Sequence, residues 1–111
     1  MSQDSVLKLR QDAQVIFDAA VRAVDAEECV RRFVSLEGDR LAVGDSSYDL
    51  SRFERILTVG MGKASPRMGV ALEDILGARL TGGIVTTKYG HSEPLKRIEI
   101  VECGHPVPDE A

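Results

Sequence analysis

The stretch RILTVGMGKASPRM, Arg55–Met68, constrains this chain more than any other. Ile56, Leu57, Thr58 and Val59 form an apolar run rich in β-branched residues, which the turn Gly60-Met61-Gly62-Lys63 ends. Met68, Leu72, Ile75 and Leu76 then recur at helical spacing, and Gly77 closes the helix. Leu80–Thr87 (LTGGIVTT) reads as a second strand and Ile98–Val101 (IEIV) as a third. Strand, helix and strand within about thirty residues predict a βαβ unit with parallel strands. Only ten residues separate Thr87 from Ile98, fewer than the dozen or so that a parallel crossover usually takes. The direction of the third strand therefore stays open.

Ahead of this unit, Leu9, Ala13, Ile16, Phe17, Ala20 and Val24 recur at three- and four-residue steps and predict an amphipathic helix over Asp4–Val24. Asp25 then stands as an N-cap with Glu28 three residues on, opening a shorter helix whose apolar side is Val30, Phe33 and Val34. Leu36, Leu41 and Val43 alternate with polar residues around Glu37-Gly38-Asp39-Arg40, a β-hairpin, and a second turn at Gly44–Ser47 leads to Tyr48 and Leu50. The expected architecture is an α/β, Rossmann-like, three-layer arrangement with a mainly parallel sheet. A helical segment (1–34) and a hairpin with a turn (35–54) precede the βαβ unit and third strand (55–111). Val59, Ile84, Val85 and Ile100 are expected to be buried in that sheet, with the first helix shielding part of the core. The chain stops at HPVPDEA, directly after a strand, and is expected to be the front of something longer.

With 111 residues the chain is one domain at most. Its net charge of −4 is spread over both signs along the whole length, so no basic face for nucleic acid is expected. No apolar run reaches membrane-spanning length and the N-terminus lacks the layout of a signal peptide. A cytoplasmic location is expected. Cys29 and Cys103 lie on different kinds of element and read as free thiols rather than a disulfide framework.

The glycine-lysine turn is not a Walker A loop. That motif would need a glycine at Leu57 and a hydroxyl at Ala64. A dinucleotide fingerprint fits better, with Gly60, Gly62 and the small Ser65 in its three slots, yet no carboxylate stands about twenty residues on, where Val85-Thr86-Thr87-Lys88 lies. What remains is a strand ending in Gly-x-Gly-Lys-Ala-Ser and running into a helix N-terminus, where unpaired amides and a positive dipole favour an anion. The alternative is a cramped corner with Lys63 in solvent. Lys88-Tyr89-Gly90-His91 and Cys103-Gly104-His105 through Asp109 follow the other two strands. If all three strands are parallel, these loops meet at the carboxyl edge, where α/β proteins bind ligands. Cys103, His91 and His105 lack the spacing of a structural zinc site, and no metal site is expected.

Three blocks carry a family likeness: V-G-M-G-K-A-S, then L-T-G-G-I-V-T-T-K-Y-G-H, then E-C-G-H-P-V-P-D-E-A. In that order they resemble the N-terminal domain of the MOFRL-type glycerate 2-kinases, some of whose members are labelled hydroxypyruvate reductases. The resemblance implies transfer of the γ-phosphoryl group of ATP, with Mg²⁺, to the 2-hydroxyl of glycerate. It places the catalytic lysine at Lys63 and implies that Lys88, His91, His105 and Asp109 line the cleft; with Gly60, Gly62 and Ser65 of the turn, these are the expected substrate- or phosphate-binding residues. Met61 departs from the small residue usual between the two glycines. The competing expectations are a non-catalytic nucleotide- or phosphate-binding module and part of an NADP-dependent hydroxypyruvate reductase. The 111 residues alone are expected to be inactive and prone to self-association.

Overall fold

The computed structural model describes all residues, Met1–Ala111. Helix α1 (Gln3–Ala23) starts at Ser2, whose Oγ accepts the Ser5 amide at 3.2 Å. Asp4 in its first turn and Arg22 in its last match the helix dipole. Helix α2 (Ala26–Phe33) is capped by Asp25, which accepts the Glu28 amide at 3.1 Å. The amphipathic stripe of α1 exists, but the expectation that it shields the core is corrected. No residue of α1 is buried, and Ile16 is 70% and Phe17 63% exposed. The helix leads out from the body, in a molecule 65 Å along its longest axis. By contrast α2 is held to the rest of the chain by Arg67, paired with Asp25 and Glu27, and by Arg31, paired with Glu27 and Asp74.

The expected hairpin proves to be the first part of a three-stranded antiparallel meander, β1 (Val34–Glu37), β2 (Arg40–Val43) and β3 (Ser46–Asp49). Gly38-Asp39 makes the first two-residue loop and Gly44-Asp45 repeats it, both glycines at positive φ. All of β3 is exposed, so it lacks the alternating apolar pattern that marks a strand in sequence. Leu36, Leu41 and the buried Leu50 turn the meander toward the core, and Arg79 pairs with Asp39 at its tip.

The βαβ unit is β4 (Leu57–Met61), α3 (Ser65–Leu76) and β5 (Gly82–Lys88), followed by β6 (Ile98–Cys103). The sheet order is β4-β5-β6, with both pairings parallel, in register Val59↔Ile84 and Val85↔Ile100. The short crossover poses no obstacle. Ten extended residues reach about 33 Å, whereas returning along a strand of six residues needs about 20 Å. The loop runs back extended, with no helix of its own, and Leu95 seats against Gly69 of α3.

α3 lies on one face of this sheet. Leu76, Leu80, Val85 and Ile98 form the core there with Leu50, and Ile56, Leu95 and Ile100 pack against it. Val85 is buried as expected and Ile100 is half-buried. Val59 and Ile84 are not: they are 75% and 41% exposed. Strand alternation sends them, with Leu57 and Met61, to the opposite face, which is left open. Apolar composition marked them as buried because parallel strands normally have both faces covered.

Candidate functional site

Two glycines build the turn between β4 and α3 for different reasons. A Cβ on Gly60 would stand 2.9 Å from Val85 Cγ1 and 3.3 Å from Ser65 Cβ, so only glycine lets β4, β5 and the start of α3 come this close. Gly62 has φ +102°, a backbone that side-chain-bearing residues rarely adopt. Its amide donates to the Thr86 carbonyl at 3.0 Å. Ser65 is buried, and its hydroxyl lies 2.8 Å from both the Gly62 and the Thr86 carbonyl oxygens. That contact ties the turn to β5.

The helix N-terminus has fewer free donors than its position suggests. The Ser65 amide donates to Gly62, Pro66 has no N–H, and the Met68 amide donates to Ala64. Ala64 is the N-cap and offers no side-chain acceptor. Of the first turn only the Arg67 amide has no acceptor in the chain. An anion at this end must draw on side-chain charge as much as on the dipole. Lys63 stands beside the turn, exposed, its ammonium free of any ion pair or hydrogen bond within the chain.

The carboxyl ends of the three strands meet around a cavity of about 300 Å³. β4 and its turn contribute Met61 and Gly62, β5 contributes Thr86–Lys88, and β6 with the segment after it contributes Cys103, Gly104, His105, Pro108, Asp109 and Ala111. Of the residues singled out in the sequence, Gly62, Lys88, His105 and Asp109 therefore share one cavity. Gly60, Lys63, Ser65 and His91 are not on its walls: the first and third are packed inside the turn, and Lys63 and His91 are exposed. Lys88 is half-buried with no carboxylate paired to it. Asp109 is already engaged. It accepts from the Tyr89 hydroxyl at 2.7 Å and the Ala111 amide at 3.2 Å. The Gly104 amide above all, then Tyr89, holds its carboxyl below the usual range. The same bond, made to Asp109, raises the Tyr89 phenol. Tyr89 was not singled out in the sequence. An aromatic between Lys88 and Gly90 reads as part of a turn, and nothing local shows that its partner lies twenty residues on.

Mg²⁺ takes oxygen ligands in near-ideal octahedral geometry. No three acidic, histidine or cysteine side chains of the chain converge where one ion could sit, and the Asp109 oxygens face donors of the chain. These residues do not by themselves make a Mg²⁺ site, whereas Lys63 and Lys88 suit phosphate or carboxylate oxygens.

A parallel α/β sheet, a glycine turn into a helix and loops gathered at the strand carboxyl edge define the class of α/β domains that place their ligand site at that edge. The particular family follows from comparison with known proteins. The chain belongs to the family described as a domain of unknown function, DUF4147, which matches residues 12–111. It is homologous to the N-terminal region of the glycerate 2-kinases. It is 32% identical over 104 residues to the glycerate 2-kinase of Pyrococcus horikoshii, covering 94% of this chain and 23% of that protein. It is 52% identical over 58 residues to the D-glycerate 2-kinase of Thermotoga maritima, covering 51% and 14%. A crystal structure of a Pyrococcus horikoshii protein superposes with a TM-score of 0.79 at 32% identity, covering 92% of this chain and 22% of that one. The chain thus spans less than a quarter of the length of these relatives. No helix is long and apolar enough to cross a membrane.

Proposed function

We propose that these residues form one wall of the active site of an ATP-dependent glycerate 2-kinase, which transfers a phosphoryl group to D-glycerate to give 2-phosphoglycerate. The observation that carries this reading is Lys88: a half-buried residue whose ammonium has no ion-pair partner, on the wall of a cavity at the sheet's carboxyl edge. An unpaired ammonium at such a place suits the carboxylate or phosphate of an anionic ligand. The reaction is that of the glycerate 2-kinases the chain resembles. In this reading Lys63 stabilises the charge of the transferring phosphoryl group, and Lys88 holds a substrate carboxylate or phosphate. Gly60, Gly62 and Ser65 shape the turn that presents Lys63, and His91 and His105 stand at the edge of the site. ATP would supply the phosphoryl group, and Mg²⁺ bound with it would neutralise phosphate charge. Phosphoryl transfer needs charge surrounded from several sides. The exposed Lys63 and open cavity provide one side, so the 111 residues bind without turning over.

Thermal unfolding of the chain with ATP, D-glycerate or NADPH tests this reading. Protection by ATP or glycerate, lost in a folded Lys88→Ala variant, supports it. Protection by NADPH alone points to the reductase instead, and protection by none of the three defeats both.

A further inference from the structure

Tyr89 touches the site without lining it. It follows β5 directly, and its hydroxyl donates to Asp109 Oδ2 at 2.7 Å, beyond the end of β6. The other Asp109 oxygen accepts the Ala111 amide at 3.2 Å. One side chain therefore closes the segment Gly104–Ala111 on itself and ties it to the neighbouring strand. The segment is tight: a Cβ on Gly104 would run 2.5 Å from the Val107 carbonyl oxygen and 3.1 Å from Asp109 Cγ. A second tie runs parallel to the first, from the Gly90 amide to Glu102 Oε1 at 2.9 Å.

The charge balance of the cavity gives the clasp its consequence. A free carboxylate beside Lys88 would neutralise the lysine and repel an anion. With its two oxygens turned to the Tyr89 hydroxyl and the Ala111 amide, the carboxylate serves the loop and leaves the lysine to a ligand. We propose that Tyr89 and Asp109 are positioning residues, a clasp that fixes Gly104–Ala111 as a wall of the cavity and keeps the Asp109 carboxylate from pairing with Lys88. This rests on the kinase reading for the identity of the anion, but not for the clasp itself.

The test uses the 111-residue chain with Tyr89→Phe, Asp109→Asn and the double variant. The phenylalanine keeps the ring and removes only the hydroxyl. Two quantities are read: exchange of the Ala111 amide by NMR, and the dissociation constant for D-glycerate and for ATP. In Tyr89→Phe the Ala111 amide is expected to exchange about three- to tenfold faster, the range of one lost hydrogen bond, with Val85 and Ile100 amides and the melting temperature unchanged. Binding should weaken by a similar factor, and the second substitution should add less than it does alone. Unchanged Ala111 exchange, or effects of the two substitutions that simply add, overturns the clasp. Wild-type protein that binds neither compound defeats the kinase reading, and the exchange measurement then still decides whether the clasp exists.

Discussion

The Glu73 carboxylate, in the last turn of α3, accepts the amide of Ile98, the first residue of β6, at 2.9 Å. It also accepts the amides of Lys96 and Arg97 at 2.8 and 2.5 Å. Three successive backbone donors of the crossover loop thus end on one helix side chain. The contact delivers the chain to the start of β6 at the end of the sheet that makes it parallel to β5. A crossover helix would satisfy its own amides. This loop borrows its acceptors from α3 instead.

Glu73→Gln is therefore expected to destabilise the chain by about 1.5–3 kcal/mol near neutral pH, the scale of hydrogen bonds to a charged group. Burial pushes the Glu73 carboxyl up, but the three amides outweigh it and hold the group below its ordinary value. A carboxyl depressed in the folded state stabilises fully above the ordinary glutamate range, and that contribution is lost as pH falls through its folded value. Urea titrations at pH 7 and in the acid range check this. The gap between wild type and variant should narrow in acid, and a gap independent of pH would contradict the account.

Gly83→Ala should be far more damaging than Gly82→Ala, although the two are adjacent. A Cβ on Gly83 would collide with the carbonyl oxygen of Thr58 on the paired strand, and that atom is backbone. A Cβ on Gly82 meets only the Arg97 carbonyl oxygen at 3.7 Å, ordinary contact. The first substitution is expected to cost about 1–3 kcal/mol or more by overpacking. The second should change stability by under about 1 kcal/mol, since alanine loses less chain entropy. Denaturant midpoints of the two variants decide between them.

The sequence showed the βαβ unit clearly because its signals are local: a β-branched run, a glycine turn, helical spacing and a closing glycine at Gly77. The parallel direction of β6 was not legible, since it depends on Glu73 reaching residues more than twenty positions away. The open sheet face was not legible either. Val59 and Ile84 are apolar whether or not another layer covers them, and composition records a residue's chemistry rather than its neighbours. At the site, the loops to be gathered could be read from strand order, and Lys88, His105 and Asp109 do share a cavity. Which of their groups are already occupied could not, because the Tyr89–Asp109 bond and the inward turn of Ser65 arise only once β5 and β6 are paired.

The open face makes a prediction about solution behaviour. Val59 and Ile84 are register partners on neighbouring strands, and with Leu57 and Met61 they form a contiguous apolar surface, the kind that drives association. Sedimentation should show the average mass of the chain rising with concentration. Val59→Thr with Ile84→Thr keeps β-branched residues in both strands and should reduce that rise while preserving the melting temperature. A wild-type chain that stays monomeric at all concentrations would refute the link between this face and association.

The last prediction concerns α1, which illustrates how a helix can be well specified and yet contribute little to stability. Its helicity has local causes: the Ser2 cap, a Lys8–Asp12 ion pair at 2.8 Å and a Gln14–Asp18 hydrogen bond at 2.8 Å. Exposed pairs of this kind contribute about 0.2–0.5 kcal/mol each, which sustains a 21-residue helix only marginally without packing. None of its residues is buried, so the body gains almost nothing from it. Removing Met1–Ala20 keeps Ala23, whose carbonyl accepts from Arg32 at 2.7 Å, and leaves α2 and its ion pairs intact. The shortened chain should lose ellipticity at about 222 nm in proportion to the missing helix, while its denaturant midpoint stays where it was. In the full chain, α1 amides should exchange orders of magnitude faster than the Val85 amide, through local fraying rather than global unfolding. A midpoint that falls sharply on truncation, or α1 amides protected as strongly as those of β5, would show that the helix is packed in solution against a surface this structure leaves open.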